Sequence, residues 1–392
     1  MKMKKIIIIF FFLPFFVHAQ LSPENAGTDL EALAKNIVNQ CANIQTDEIV
    51  FINGNARDIE LLENIAVNVR KNGAFPLLTV SSDRLTRKMF TEVPAKYDTQ
   101  YPKLGMEIVK MITTQINVTS SDTPGLLADI PPERFATRNK AQKPVQDIYR
   151  ESYIKSVQLG NGLYPTKNLA DQFEVPVDQL AKMFWDGINI DYNQLTTIGE
   201  KLSKKLTSGN TLNITHDNGT NISVKITDCK PFISDGKVPA DKSGSASRSV
   251  YLPAGEVFFA PVSGTANGTL VLDHFRFRGQ TIEGLKLVFK DGELTSMSAK
   301  SDIAVLKEYY DAQDEKLAEF SLVDFGINPK ITVPKGSKLY SYVPAGTITL
   351  GIGNNFWANG DNDSNAGIQF HLTGSKVTVD NTAIINEGKL ID

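Results

Sequence analysis

Histidine is scarce in this 392-residue chain, which contains only 4. His18 lies in the N-terminal segment, and the others are His216, His274 and His371. None belongs to an HExxH pattern, so a helical zinc-protease site is excluded, and any metal site must rely mainly on carboxylates.

Excess charge and cysteine are also lacking. The 41 basic and 44 acidic residues give a formal net charge of −3, which argues against a nucleic-acid binder, because phosphate contacts need a basic excess. The 2 cysteines cannot form a disulfide framework. Cys41 and Cys229 are either free buried thiols or one bridge, and their spacing does not decide between the two.

The N-terminus has the pattern of a secretory signal peptide. Lys2, Lys4 and Lys5 precede an apolar run at 6–17, and the small residue Ala19 ends a plausible cleavage site. We predict a signal peptide at residues 1–19 and a secreted or periplasmic protein with no membrane contact after cleavage. An uncleaved anchor is the alternative, although the run is short for a stable span.

Residues 20–190 read as an α/β domain with a parallel sheet. Apolar residues at helical spacing alternate with short strand-like runs at 49–52 and 76–80. This rhythm is typical of parallel strands joined by crossover helices. The loop at 53–55 is not a dinucleotide-binding fingerprint, so the rhythm does not imply a nucleotide cofactor.

Residues 191–392 read as a β-rich, barrel-like domain. A helix with an apolar stripe at Leu195, Ile198, Leu202 and Leu206 comes first, and the hydrophobic period then falls to two. Turn-prone residues at 217–219 and 290–292 separate paired strand-like runs, as in antiparallel hairpins. The expected fold is therefore an α/β N-terminal domain plus a β-rich C-terminal domain.

Two sequence blocks in the second half are distinctive. LPAGEVF at 252–258 is followed by AP at 260–261, and AE at 318–319 is followed by GINP at 326–329. Their order resembles that of the metal-dependent aminopeptidase family typified by aminopeptidases T and S. The resemblance extends over nearly the whole mature chain.

The resemblance implies a homodimer that removes N-terminal residues from peptides with two adjacent divalent metals of the zinc, cobalt or manganese type. Such a pair lowers the pKa of a bridging water and stabilises the developing oxyanion. The family's ligands are two Glu, two His and an Asp. The two glutamates correspond to Glu256 and Glu319, which we predict as remnant metal ligands.

The remaining ligand positions depart from the family pattern. Thr349 falls where the first His is expected, Gly367 at the second His and Gln369 at the Asp. A shifted alignment would use His371, with Thr373 in place of the Asp, but it breaks the register with Asn362, Ser364 and Asp380. Phe356 stands where the family tends to have a Tyr. We therefore expect one metal or none in this chain.

Three functional readings follow from these departures. In the first, the protein is a catalytically inactive relative whose metal site has decayed. In the second, it is an active aminopeptidase with rewired ligands, drawn from Asp361, Asp363 or His371. In the third, the chain is a non-catalytic peptide-binding or scaffold protein, in which Arg276 and Arg278 are candidates for a peptide carboxylate.

Overall fold

The computed structural model describes residues 28–118, 123, 125–238, 249–334 and 336–391. The predicted signal peptide, residues 1–19, lies outside them. Within these ranges, no helix combines the length and the apolar character needed to cross a bilayer.

Helices and parallel-type strands alternate in the first half of the chain. Its elements are α1 (Leu30–Asn36), β1 (Ile49–Asn55), α2 (Ile59–Lys71), β2 (Phe75–Ser81), α3 (Asp83–Thr91), α4 (Lys103–Met111), β3 (Thr114–Val118), α5 (Pro132–Glu151), β4 (Lys155–Leu159), α6 (Lys167–Phe173), α7 (Val177–Ile188) and α8 (Tyr192–Thr207).

Strands dominate the second half. Its elements are β5 (Thr211–Thr215), β6 (Asn221–Lys225), β7 (Phe232–Ser234), β8 (Ser249–Leu252), β9 (Glu256–Phe259), β10 (Asn267–Phe277), β11 (Gln280–Lys290), β12 (Glu293–Ser298), α9 (Ala304–Asp311), β13 (Phe320–Gly326), β14 (Ile348–Gly353), β15 (Gly367–Leu372), β16 (Lys376–Val379), β17 (Thr382–Asn386) and β18 (Lys389–Leu390).

The predicted α/β domain with a parallel sheet is confirmed. Its strand order is β2-β1-β3-β4-β8, and all neighbours are parallel. Helix starts follow from local chemistry: the Asp29 carboxylate accepts a hydrogen bond from the Ala32 amide at 2.9 Å and caps α1. Strand β8 joins this sheet from beyond residue 191, so the chain returns to the first sheet after leaving it. The predicted boundary at residues 190–191 stays a prediction.

The β-rich second half is also confirmed and consists of two antiparallel sheets. One has the order β12-β11-β10-β6-β5-β16-β17-β18 and the other, sheet C, has the order β15-β14-β13-β9-β7. The two sheets meet where Phe275 of β10 packs against Phe370 of β15, with ring centroids 5.2 Å apart. The central strands β13 and β14 of sheet C are buried along their whole length.

Cys41 and Cys229 are free and buried, which resolves the open choice between thiols and a bridge. Burial raises the pKa of the Cys41 thiol to about 12 and that of Cys229 to about 11. Both therefore remain protonated at neutral pH, and neither behaves as a reactive thiolate.

A buried ion-pair cluster fixes α5 to the turn at residues 95–99. Asp98, whose side chain is 2 % exposed, accepts from Arg134 and Arg138, each at 2.6 Å. The hydrogen bond from Arg134, followed by that from Arg138, lowers the pKa of Asp98 to about 2, against the opposing effect of burial.

Replacing Asp98 with asparagine should lower the thermal midpoint at pH 7 by several degrees, because two guanidinium groups lose their counter-ion. The folded carboxyl has the lower pKa, so its contribution is complete above pH 3.8 and disappears as the pH falls through about 2. Calorimetry at pH 7 and pH 2 checks this, because the difference between the thermal midpoints of wild type and variant should be smaller at pH 2. Asp171→Asn, which removes an exposed pair with Lys167, is the matched control and should change the midpoint little.

Candidate functional site

Four neighbouring strands of sheet C bring polar side chains to one face. Asp324 on β13 lies opposite Phe258 on β9 and opposite Thr349 on β14. Thr349 in turn lies opposite His371 on β15. Because alternate residues of a strand share a face, two further side chains join this set. The resulting site face carries Glu256, Asp324, Thr349, Gln369 and His371.

The centre of the site face is a pair of acids. Glu256 and Asp324 line the same cavity. Asp324 is 5 % exposed, and its buried Oδ1 atom has no hydrogen-bond partner among the described residues. Burial raises the pKa of Glu256 to about 8; burial together with the charge of Glu256 raises that of Asp324 well above its usual range. Without a cation, the pair therefore retains a proton at neutral pH.

His371 is held in place by Thr349. The Thr349 hydroxyl and the His371 Nδ1 atom are hydrogen-bonded at 2.8 Å, and the ring of Tyr340 stacks on the imidazole with centroids 6.1 Å apart. Burial lowers the pKa of His371 to about 4, so the imidazole is neutral at physiological pH. A neutral imidazole accepts or donates a hydrogen bond at each nitrogen but adds no charge beside the acids.

The structure does not bring Glu256 and Glu319 together. Glu256 lies opposite Gly326 at one end of β13, whereas Glu319 precedes Phe320 at the other end. At about 3.3 Å per residue, the two Cα atoms are roughly 20 Å apart. The carboxyl group beside Glu256 is that of Asp324. Glu256 therefore pairs with Asp324 at the cavity, and its assignment as a remnant metal ligand stays a prediction.

Glu319 has a different contact. Its Oε2 atom accepts a hydrogen bond from the Asn362 side chain at 3.0 Å, and the same amide donates to the Lys316 carbonyl at 2.9 Å. The Asn362 backbone amide donates to Asn355 at 2.9 Å. In this arrangement Glu319 anchors the loop between β14 and β15. Its assignment as a metal ligand stays a prediction.

The substituted ligand positions fall on or beside the site face. Thr349 is fully buried, Gln369 lines the cavity of the two acids, and Gly367 begins β15 opposite Gly353. A Cβ atom at Gly367 would meet its nearest neighbour at 3.5 Å, so a side chain fits there without displacing backbone. Phe356, at the position of the family's Tyr, is 71 % exposed at the cavity rim and has no hydroxyl.

Most of the proposed substitute ligands lie elsewhere. Asp363 forms an ion pair with Lys316, and Asp361 is exposed on the same loop. His371 alone among the suggested substitutes shares the site face. Of the two arginines considered for peptide binding, Arg278 lies over the Tyr309 ring at 4.5 Å, and Arg276 lines a neighbouring cavity.

Asp324 is the functional candidate that sequence reasoning missed. It stands in the strand FSLVDFG, whose seven residues are all buried. An acidic side chain is rarely fully buried unless a partner group compensates for its lost hydration. That contrast is visible in the sequence itself, between the AE and GINP blocks.

Comparison with known proteins identifies the family. The sequence profile described as thermophilic metalloprotease (M29) matches residues 27–370. The chain belongs to the M29 family.

Individual relatives agree with this assignment. Aminopeptidase 2 of Geobacillus stearothermophilus is 25 % identical over 323 residues, which cover 75 % of this chain and 76 % of that protein. The solved structure of wild-type AmpT from Thermus thermophilus superposes with a TM-score of 0.69 at 18 % identity, covering 93 % of this chain and 99 % of AmpT. This M29 protein is thus homologous to aminopeptidase-type metallopeptidases, as the sequence blocks predicted.

A second structural match shares the fold but has a different activity in its title. The 2,5-dihydroxypyridine dioxygenase of Pseudomonas putida KT2440 superposes with a TM-score of 0.55 at 11 % identity, over 92 % of this chain and 96 % of the dioxygenase. The M29 architecture therefore does not by itself fix the reaction.

The donor set of the site face does not fit the metal pair that the family implies. Within the described residues, no group of three or more His, Cys, Asp or Glu side chains is positioned to hold a metal ion. The face offers two carboxyl groups, a hydroxyl, an amide and an imidazole engaged with Thr349. Two adjacent dications repel each other and need several anionic ligands, which this set does not supply.

Proposed function

We propose that this protein is a secreted M29 aminopeptidase relative in which the dinuclear metal site has decayed and the former active-site cavity binds ligands without hydrolysing them. The observation that carries the proposal is the composition of the site face. Thr349 and Gln369, both neutral, stand beside the Glu256–Asp324 pair, and Gly367 offers no donor atom.

The acid pair supports this proposal. A carboxylate that binds a metal ion must be deprotonated, and partner groups usually orient it. Among the described residues, the Asp324 Oδ1 atom has no such partner. A buried acid pair of this kind resembles a binding pocket for a cationic or hydrogen-bonding group more than a dinuclear centre.

A rewired aminopeptidase is the second candidate, and His371 is the observation that favours it. The imidazole lies on the site face, separated from Asp324 by Thr349 on the intervening strand. A single hard cation held by Glu256, Asp324 and Gln369 would be the minimal centre, with oxygen ligands throughout. Binding of peptide N-termini and assembly as a homodimer, both implied by the family resemblance, belong to either candidate as proposals.

Metal content and turnover separate the two candidates. We expect the purified protein to carry less than about 0.1 metal per chain, and to release no amino-acid reporter with added zinc, cobalt or manganese, because two buried acids hold a transition metal weakly. One tightly held metal per chain with turnover that chelation removes would contradict the decayed site and support the rewired one.

Restoring ligands tests the same proposal in the opposite direction. Gly367→His with Gln369→Asp puts an imidazole and a carboxylate on the site face, where the open space at Gly367 admits a side chain. We expect the double variant to bind zinc about 100-fold more tightly than the parent by calorimetry, as two added ligands imply. The control, Asn365→His with Asp363→Asn, changes exposed loop residues only. Equal affinity in parent and double variant would contradict the assignment of residues 367 and 369 as former ligand positions.

A further inference from the structure

A second cavity, of about 590 Å³, shares no described lining residue with the cavity of the two acids. It lies between β10, the loop at 331–347, the end of β15 and the hairpin of β17 and β18. The histidines of the described chain are His216, His274 and His371, and all of them line this cavity. We name it the histidine cavity.

Backbone packing fixes one wall of the histidine cavity. Gly346, Gly374 and Gly388 come from three separate turns, and all have positive φ angles. A Cβ atom on Gly388 would lie 2.8 Å from the Gly374 amide nitrogen, and one on Gly374 would lie 3.2 Å from the His216 Nε2 atom. Because the turns approach so closely, this wall is preorganised, and a site that needs little rearrangement binds its ligand more tightly.

The charged side chains of the histidine cavity are uncommitted. Asp273, Glu387 and Lys389 line it and are exposed, and none of them forms a hydrogen bond or ion pair with another described side chain. The His216 Nδ1 atom accepts from the Asn218 amide at 3.0 Å, so the Nε2 atom carries the proton of the neutral imidazole and is available as a donor. The cavity therefore offers a ligand both hydrogen-bond acceptors and hydrogen-bond donors.

An aromatic ring completes the histidine cavity. Tyr340 is 41 % exposed. Its ring packs edge-on against Phe173 with centroids 5.5 Å apart, and it stacks on the His371 ring at 6.1 Å. These contacts fix the orientation of the ring, so its exposed part is a rigid apolar surface beside the polar groups.

We propose that the histidine cavity binds a neutral carbohydrate of one or two sugar rings. Sugar hydroxyls both donate and accept hydrogen bonds, and two adjacent hydroxyls can donate to the two oxygens of one carboxylate. The apolar C–H face of a pyranose ring packs on the Tyr340 ring. A cavity of about 590 Å³ lies within the size range of small-molecule sites.

Ligands of other classes match this set of groups less well. An anion would be repelled by Asp273 and Glu387, and a divalent cation would be repelled by Lys389. Among the described residues, no group of three or more His, Cys, Asp or Glu side chains is positioned to hold a metal ion. An apolar molecule would remove charged groups from water without replacing their hydrogen bonds. A neutral ligand with many hydroxyl groups avoids each of these costs.

Calorimetry and saturation-transfer NMR on the full mature chain test the proposal. The probes are maltose, cellobiose and methyl β-glucopyranoside, and the controls are cyclohexanol and N-acetyl-trialanine amide. We expect at least one sugar to bind with a Kd below about 10 mM and at least about 10-fold more tightly than either control, because the controls lack adjacent hydroxyl pairs. Binding of none of the three sugars overturns the proposal. Tighter binding of the blocked peptide also overturns it and identifies a peptide site in its place.

Substitutions assign the binding to the histidine cavity. Asp273→Ala should weaken sugar binding about 10-fold, because a charge-assisted hydrogen bond is lost, and Tyr340→Ala should weaken it because the ring surface is removed. Asp361→Ala, an exposed aspartate outside the cavity, is the matched control and should leave the affinity unchanged. Asp273 is exposed, so its variant should fold, which circular dichroism checks. Parent affinity in both folded cavity variants overturns the proposal.

Sugar binding at the histidine cavity should not depend on metal, because neither Glu256 nor Asp324 lines this cavity. The affinity for the sugar should therefore be the same with and without a chelator. Loss of sugar binding on chelation would overturn the proposal, whatever the metal content of the purified protein. Tight metal binding with turnover would remove the decayed-site proposal and leave the carbohydrate site standing.

Discussion

Replacing Glu256 with glutamine should raise the free energy of unfolding at pH 8 by about 3 kcal/mol. The folded protein binds the proton of this carboxyl more tightly than the unfolded chain does, since its pKa rises from 4.5 to about 8 on burial. Ionising the Glu256 carboxyl inside the cavity, beside Asp324, therefore lowers the stability of the wild-type protein. The neutral amide of the variant has no such cost. Urea denaturation in the presence of a chelator measures the difference.

The contribution of Glu256 to the free energy of unfolding depends on pH. Below pH 4.5 both folded and unfolded states hold the proton, and the contribution to stability is complete. As the pH rises towards about 8, the unfolded chain has lost the proton while the folded protein retains it, so wild-type stability falls across this interval. Glu256→Gln should lack that slope. Glu319→Gln, at the other end of β13, should keep it, and a flat wild-type profile would indicate a cation between the acids.

Much of the fold follows from periodicity and turn chemistry in the sequence. The helix α1 begins at its capping residue Asp29, and β5 and β6 pair around the turn-prone residues 217–219. Gly73 ends α2 in a left-handed conformation with φ of 78°. These features are local, so a single sequence contains them. The return of β8 to the parallel sheet is not local, and no spacing rule predicts it.

The site was predicted less well because strand register is a long-range property. The blocks at 252–258 and 318–319 both resemble ligand-bearing segments, yet the antiparallel pairing of β9 with β13 puts Glu256 opposite Gly326. If the pairing of two strands shifts by two residues, each side chain stays on the same face of the sheet, but its cross-strand neighbour is displaced by about 7 Å. Sequence alone identifies Glu256 as a site residue, but only the pairing shows that its neighbour is Asp324.

Part of the family resemblance reflects architecture and not chemistry. Gly326, in the GINP block, has no room for a side chain, because a Cβ atom would lie 2.2 Å from the Pro344 carbonyl oxygen. Asn362, in the loop block, binds Glu319 and Lys316 and sets the loop path. These residues maintain the backbone around the cavity. A block that resembles a catalytic family can therefore persist for its structural role alone.

Asn328 provides the sharpest test of that structural role. It is fully buried, and its side-chain amide donates to the carbonyl oxygens of Gly187 at 2.9 Å and Ala254 at 2.7 Å. These bonds connect the end of α7 to the segment that precedes Glu256. The Asn328 Oδ1 atom accepts from the Lys330 amide at 3.0 Å, so the side chain uses both its donor and its acceptor groups.

Asn328→Ala should lower the free energy of unfolding by about 3 kcal/mol, because two buried carbonyls lose their donors. Asn328→Asp should cost more, since it sets a carboxylate oxygen against those carbonyls. Asn365→Ala, on the exposed loop, is the matched control and should stay within about 0.5 kcal/mol of wild type. Urea denaturation gives all three values. If Asn328→Ala is as stable as wild type, then the connection between α7 and the segment before Glu256 depends on the surrounding packing and not on this amide, and the GINP block requires another explanation.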